Sequence, residues 1–134
     1  DRKALGELVF TDADARRRLN AIVHPLVRDW MAMRTAEALE QGADVVVQDV
    51  PLLFENKLED LFPTVVTVWV PPEAQVERLV SGRGFSAQQA REVIAAQMPI
   101  DEKRHRATHV IDNSGSREST RAQVEKLWTA LAGP

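Results

Sequence analysis

Apolar residues recur along this chain at two spacings. Over residues 13–42 the spacing is three and four. Leu19, Ile22, Val23, Leu26, Val27, Trp30 and Met33 share one helical face. Thr11 reads as the cap and Asp12 and Asp14 as acidic first-turn residues, which suit a helix start. Pro25 interrupts the face, because a proline lacks the amide hydrogen and crowds the preceding turn. A break at His24-Pro25 is therefore expected, with Pro25 opening a second helix that stops near Gly42. Residues 1–10, with Leu5, Leu8 and Val9, form a shorter amphipathic piece.

Beyond Gly42 the pattern changes to short β-branched runs. Residues 45–48 (VVVQ) and 64–70 (TVVTVWV) predict strands buried on both faces, and 108–112 (THVID) a third. Pro51 and Pro71-Pro72 end the first two. Helices are expected at 73–81, with Val76, Leu79 and Val80 inward, and after Ser86. Ser86 and Gln89 form a capping box there, with Ala90, Val93, Ile94 and Gln97 on one side. A loop at 82–85 separates these two helices, and Met98-Pro99 ends the second. The 101–106 segment is a charged stretch. A last helix is expected over 116–131, with Val124, Leu127, Trp128 and Leu131 aligned. Trp30, Trp69 and Trp128 are expected in the core. Strands alternating with helices predict an α/β fold with a parallel sheet.

Composition narrows the function. The 134 residues suffice for one domain with a core, and apolar and charged fractions of 44% and 28% are ordinary. There is no cysteine, so no disulfide or thiol chemistry. A net charge of −3 argues against a nucleic-acid partner. No run of ~18 apolar residues predicts a membrane span, and no signal peptide is visible, so a cytoplasmic location is expected. The start at Asp1, without an initiator Met, reads as part of a longer protein.

Chemistry concentrates at three places. Asp49 lies at the carboxyl end of the 45–48 run, where ligands bind in open α/β sheets. A carboxylate there holds Mg²⁺ through water beside nucleotide phosphates, or simply closes the turn before Pro51. Arg78, Arg83, Arg91, Lys103, Arg104 and Arg106 surround a glycine-bearing loop, as in a lid that closes on phosphates; a solvated helical face gives the same pattern. His24 suits a hydrogen bond to an acceptor molecule, or is a half-exposed residue before a proline. Asn113-Ser114-Gly115 is a turn able to face a purine. No G-x-x-x-x-G-K-[ST] phosphate cradle occurs in these residues, and Gly82-Arg83-Gly84 does not replace it.

The blocks LNAIVHPLV at 19–27, DVPLLFE at 49–55, AAQM at 95–98 and VIDNSG at 110–115 resemble the dephospho-CoA kinase family. The resemblance implies a P-loop kinase-like sheet flanked by helices, resembling the nucleoside monophosphate kinases, with a helical CoA-type subdomain and a lid. It implies a helical acceptor part at 1–42, core α/β parts at 43–77 and 107–134, and a lid at 78–106. It also implies ATP-dependent phosphorylation of the dephospho-CoA 3′-hydroxyl, with ATP and Mg²⁺. By the same resemblance, Asp49, Arg78, Arg83 and Lys103 serve the phosphates. His24, Pro51, Leu52, Leu53 and Glu55 face dephospho-CoA, and Asn113 and Gly115 face adenine.

Two features depart from the family. Its Walker A loop and first strand lie upstream of anything matching Asp1. Its usual lid arginine, four residues after Arg78, is Gly82 here, with Arg83 one further. The first departure leaves the 45–48 and 64–70 strands without the strand between them. The expectation is that a preceding segment supplies it, or that another copy does through oligomerisation or strand exchange. The chain alone is then expected to be inactive. The rival readings are another small-molecule P-loop kinase acting on a nucleoside or nucleotide, and a non-catalytic ligand-binding or assembly domain.

Overall fold

The computed structural model describes residues 1–133, so Pro134, at the end of the expected 107–134 part, lies outside the described residues. The chain divides into two compact units, Asp1–Gln48 and Asp49–Pro134.

The first unit is helical. Helix α1 spans Arg2–Thr11 and packs on α2, Ala13–Glu40. Asp12, not Thr11, caps α2: its Oδ1 accepts the amides of Asp14 and Ala15 at 2.8 and 3.0 Å. The expected break at Pro25 does not occur, and α2 runs through it. Proline deletes one backbone bond, and a helix with several turns on either side keeps the rest. Gly42, at φ 87°, follows the helix end in the left-handed region. Ala15 is buried, but Ile22, Leu26 and Trp30 are exposed. Trp30, 59% exposed, is therefore not a core residue: among the described residues none covers that face of α2.

The expected strand at 45–48 is also absent. Residues 44–51 make no backbone–backbone hydrogen bond among the described residues, and Val47 is 80% exposed. Valine-rich sequence favours extended backbone, but a strand exists only when a neighbour accepts its ladder bonds.

The second unit holds a two-stranded parallel sheet. Strand β1 (Val66–Trp69) pairs with β2 (His109–Asp112), Val66 opposite His109 and Trp69 opposite Asp112. Thr108 ties the entry of the pair: its hydroxyl receives the Val65 amide at 2.7 Å and donates to the Val65 carbonyl at 2.8 Å. Between the strands lie α3 (Pro72–Arg83), α4 (Ala87–Ala95) and α5 (Ile100–Arg106), and α6 (Arg117–Ala132) follows β2. Helix α3 extends two residues past the expected end at 81 and stops at Gly84, φ 69°. The Ser86–Gln89 capping box opens α4 as expected. The charged 101–106 stretch is helical: α5 starts directly after Pro99, with Asp101 and Glu102 at its positive end and basic residues in its last turn.

Packing centres on Ala90, fully buried between α3 and α4, and on Phe54, Val65, Val70 and Ile111. Trp69 is half-buried and held by α5. Its indole donates to Asp101 Oδ1 at 2.7 Å, and the Arg104 guanidinium lies 4.6 Å from its ring. Trp128 is 52% exposed, against the core expectation. Strands lie about 4.8 Å apart, so a pair covers little of a facing helix. Gln123 of α6 instead bonds the β2 backbone at Asp112, donating to its carbonyl at 2.8 Å and accepting its amide at 2.9 Å. Among the described residues no helix is long and apolar enough to cross a membrane.

Candidate functional site

Lys103 and Glu55 come from distant parts of the sequence and meet inside the second unit. Helix α5 packs against β1, and the buried Thr67 hydroxyl donates to the Lys103 carbonyl at 3.3 Å. This brings the Lys103 side chain inward, leaving the residue 9% exposed. Residues 51–57 form a turn whose backbone closes on itself, Asn56 amide to Leu52 carbonyl at 3.1 Å and Leu58 amide to Leu53 carbonyl at 3.0 Å. The turn buries Phe54 and directs Glu55 toward α5. Lys103 Nζ lies 2.7 Å from Glu55 Oε1 and 3.4 Å from Gln97 Oε1. The same Glu55 oxygen accepts the Met98 amide at 2.9 Å, while Oε2 is buried without a hydrogen-bond partner among the described residues.

Burial pushes the Glu55 carboxyl up. The hydrogen bonds from Lys103, the Met98 amide and its own amide, with the attraction of the ammonium, outweigh burial and hold it below its ordinary value. A carboxyl held low in the fold stabilises it above the unfolded-state value, 4.5 for glutamate, and loses that contribution as pH falls through the folded value. The stability gap between the native protein and Glu55→Gln is therefore expected to be full above about pH 5 and to shrink as acid protonates the site. Denaturant midpoints of the two, measured across the acid range, check this; a gap indifferent to pH would show that the ionised form contributes nothing.

One turn further along α5, Arg106 clamps the other end of the 51–57 turn. Its guanidinium pairs with Glu59, lies 5.2 Å from the Phe54 ring and sends Nη1 to Met98 Sδ at 3.6 Å.

Lys103 lines a cleft of about 410 Å³ with Arg78 and Arg83 of α3, Gln75, and Gln97 and Met98 after α4. Among the described residues no carboxylate lines it. Arg83 has no ion-pair partner among the described residues. Arg78 forks onto neutral atoms, Nη1 to Asn113 Oδ1 and Nη2 to Asn113 O, both at 2.7 Å. Its charge is thus fixed in place but not neutralised, and the cleft suits an anion with several oxygens. Arg78 also lines a second hollow, about 820 Å³, with Asn113, Gly115, Arg117 and Arg121. The turn there is set by Asp112, whose Oδ1 accepts the Ser114 amide and hydroxyl at 2.9 and 2.6 Å. These Ser114 bonds hold the Asp112 carboxyl below its ordinary value.

The structure thus gathers Arg78, Arg83 and Lys103, and joins Arg78 to Asn113 and Gly115. Asp49 is exposed at the start of the turn region and lines neither cavity. Pro51 and Leu52 are exposed and Leu53 half-buried on the turn. His24 sits half-buried in α2, where its carbonyl accepts Arg28 Nε at 3.3 Å. Glu55, expected at the acceptor, is the partner of Lys103. Gln97, Met98, Arg117 and Arg121 were not expected. Their legible signals are the AAQM block, which holds Gln97 and Met98, and the four-residue spacing of Arg117 and Arg121, which puts both on one face of α6. Among the described residues no group of three or more acidic or histidine side chains could hold a metal.

A family model described as dephospho-CoA kinase matches residues 1–119. The chain belongs to the dephospho-CoA kinase family. It is 48% identical over 127 residues to the dephospho-CoA kinase of Bacillus licheniformis, covering 95% of this chain and 63% of that one. It is 47% identical over 133 residues to that of Symbiobacterium thermophilum, covering 99% and 56%. A crystal structure of a Thermus thermophilus protein superposes with a TM-score of 0.82 at 34% identity, over 99% of this chain and 68% of that one. The dephospho-CoA kinase of Campylobacter jejuni gives a TM-score of 0.70 at 26% identity, over 99% and 66%. The chain therefore spans about three fifths of the length of the curated relatives. The α/β architecture expected from the alternating elements is the fold of this family.

Proposed function

We propose that these residues belong to an ATP-dependent kinase that phosphorylates the 3′-hydroxyl of dephospho-CoA, yielding coenzyme A and ADP. The observation that carries this is a cleft with two guanidinium groups that have no ion pair among the described residues and a buried ammonium held by Glu55, in a chain of this family. The acceptor 3′-oxygen attacks the γ-phosphorus, the bond to the β–γ bridging oxygen breaks, and the hydroxyl proton leaves to solvent. Arg78, Arg83 and Lys103 would meet the phosphate oxygens, lowering the barrier by position and charge. Asn113 and Gly115 would face adenine, and the turn at Pro51, Leu52 and Leu53 would face the acceptor; His24, in the helical unit, is assigned to the acceptor by the family resemblance alone. Residues 1–42 serve as the helical acceptor part and 78–106 as the lid in this reading. Magnesium enters with the triphosphate; Asp49, exposed and without an ion pair among the described residues, would reach it only through water. A cytoplasmic location goes with this activity.

Turnover by the full-length protein, assayed with dephospho-CoA, AMP and nucleosides at equal concentration, tests the proposal. Phosphoryl transfer to dephospho-CoA is expected to exceed the others at least about tenfold in kcat/KM. Preferred transfer to AMP or a nucleoside would replace this reading with that of a nucleotide kinase. Binding of dephospho-CoA without transfer would make the chain a ligand-binding domain.

A further inference from the structure

We infer that Glu55 is a positioning residue, which presets the Lys103 ammonium on the wall of the cationic cleft and pins the turn between α4 and α5 to the acceptor-side turn. The inference rests on the phosphotransferase reading of that cleft.

The geometry singles out one oxygen. Glu55 Oε1 receives the Lys103 ammonium at 2.7 Å and the Met98 amide at 2.9 Å. A lysine stem has four flexible carbons, and left alone it disperses its charge over many rotamers. Here Nζ is fixed from two sides, by Glu55 and by Gln97 at 3.4 Å. An ammonium has three donors, so one remains for a cleft anion. Met98 and Gln97 line the same cleft, on the segment that joins α4 to α5. A single carboxylate therefore connects the 51–57 turn, the joint between the two helices and the cleft cation. Glu55 itself does not line the cleft, so its influence on a bound anion passes through Lys103.

A preset cation needs no reorganisation when charge develops on the transferring group. Acids that orient metal ligands cost about 10- to 100-fold in affinity or activity when removed, and Glu55 stands in the same relation to Lys103 as those acids do to their ligands. A residue that touches the acceptor directly would behave differently, raising KM for the acceptor while leaving kcat intact.

The test uses the full-length protein with Glu55→Gln, Glu55→Asp, Lys103→Met and the double variant Glu55→Gln/Lys103→Met, all assayed well below their unfolding temperatures. Glutamine keeps an acceptor for the Met98 amide and removes only the charge. ATP affinity is measured by calorimetry without acceptor, and kcat and both KM values by coupled assay. Glu55→Gln is expected to weaken ATP binding or lower kcat by about 10-fold or more, with KM for dephospho-CoA within about twofold of native. Glu55→Asp is expected to recover part of the loss. In the Lys103→Met background, Glu55→Gln is expected to cost nothing further, because its route to the anion is already gone. Additive losses, an effect confined to the KM of dephospho-CoA, or native ATP affinity and kcat in Glu55→Gln would overturn the inference. If the native full-length protein binds ATP but transfers no phosphate, the kinase reading fails, and the calorimetric comparison still decides the role of Glu55. If it binds no ATP, both fail.

Discussion

Phe54→Ala is expected to lower the stability of the full chain by about 3–5 kcal/mol, the upper range for truncating a buried aromatic. Phe54 is 5% exposed, in a unit whose buried apolar set is small. Its ring carries the Arg106 guanidinium at 5.2 Å, so truncation removes that contact as well as opening a cavity. Arg106 also pairs with Glu59, and the turn between Glu55 and Glu59 would lose the residue that anchors it. Phe54→Leu, which keeps most of the volume, is expected to cost less than about half as much. Urea unfolding with an unchanged slope measures both. Equal midpoints for the native protein and Phe54→Ala would mean that the turn is held by its backbone bonds and by Arg106 alone.

The second large effect is on catalysis. Lys103→Met is expected to reduce phosphoryl transfer by about 100-fold or more, the usual consequence of losing one preorganised charge at the reacting group. It also strands Glu55, whose Oε2 already lacks a partner among the described residues, and so costs about 1–3 kcal/mol of stability. Adding Glu55→Gln should restore most of that stability, since removing both partners of a buried pair is close to neutral. Activity should not return. Unfolding midpoints and kcat for the single and double variants separate the two effects. Recovery of activity in the double variant would show that Lys103 serves the fold alone.

The places where local reading and structure part company share one cause. Residues 45–48 have strand composition, yet composition cannot supply the neighbour whose amides and carbonyls complete a ladder. Pro25 marks a lost hydrogen bond, yet whether a helix breaks there depends on the turns flanking it. Trp30 and Trp128 are large and apolar, but burial needs an opposing surface that the described elements do not provide. The 101–106 stretch reads only as charged, although proline before it and the order of its charges are those of a short helix. Glu55 was readable as an acid in a conspicuous turn; its partner was not, because the pairing spans β1, α3 and α4.

What the sequence determined alone was whatever depends on neighbours a few residues apart. That includes the Ser86–Gln89 cap, the end of α2 near a glycine in the left-handed region, the strands at 66–69 and 109–112, and the α/β alternation. The motif blocks also carried the family. Only the tertiary structure decided which charges meet. It set Lys103 against Glu55, forked Arg78 onto Asn113, left Arg83 without an ion pair among the described residues and kept Asp49 off the cleft wall. Local signals act through backbone torsions and single hydrogen bonds, which a few residues fix. A charge's role depends on distance and burial, and those are set by how β1, α5 and the 51–57 turn pack.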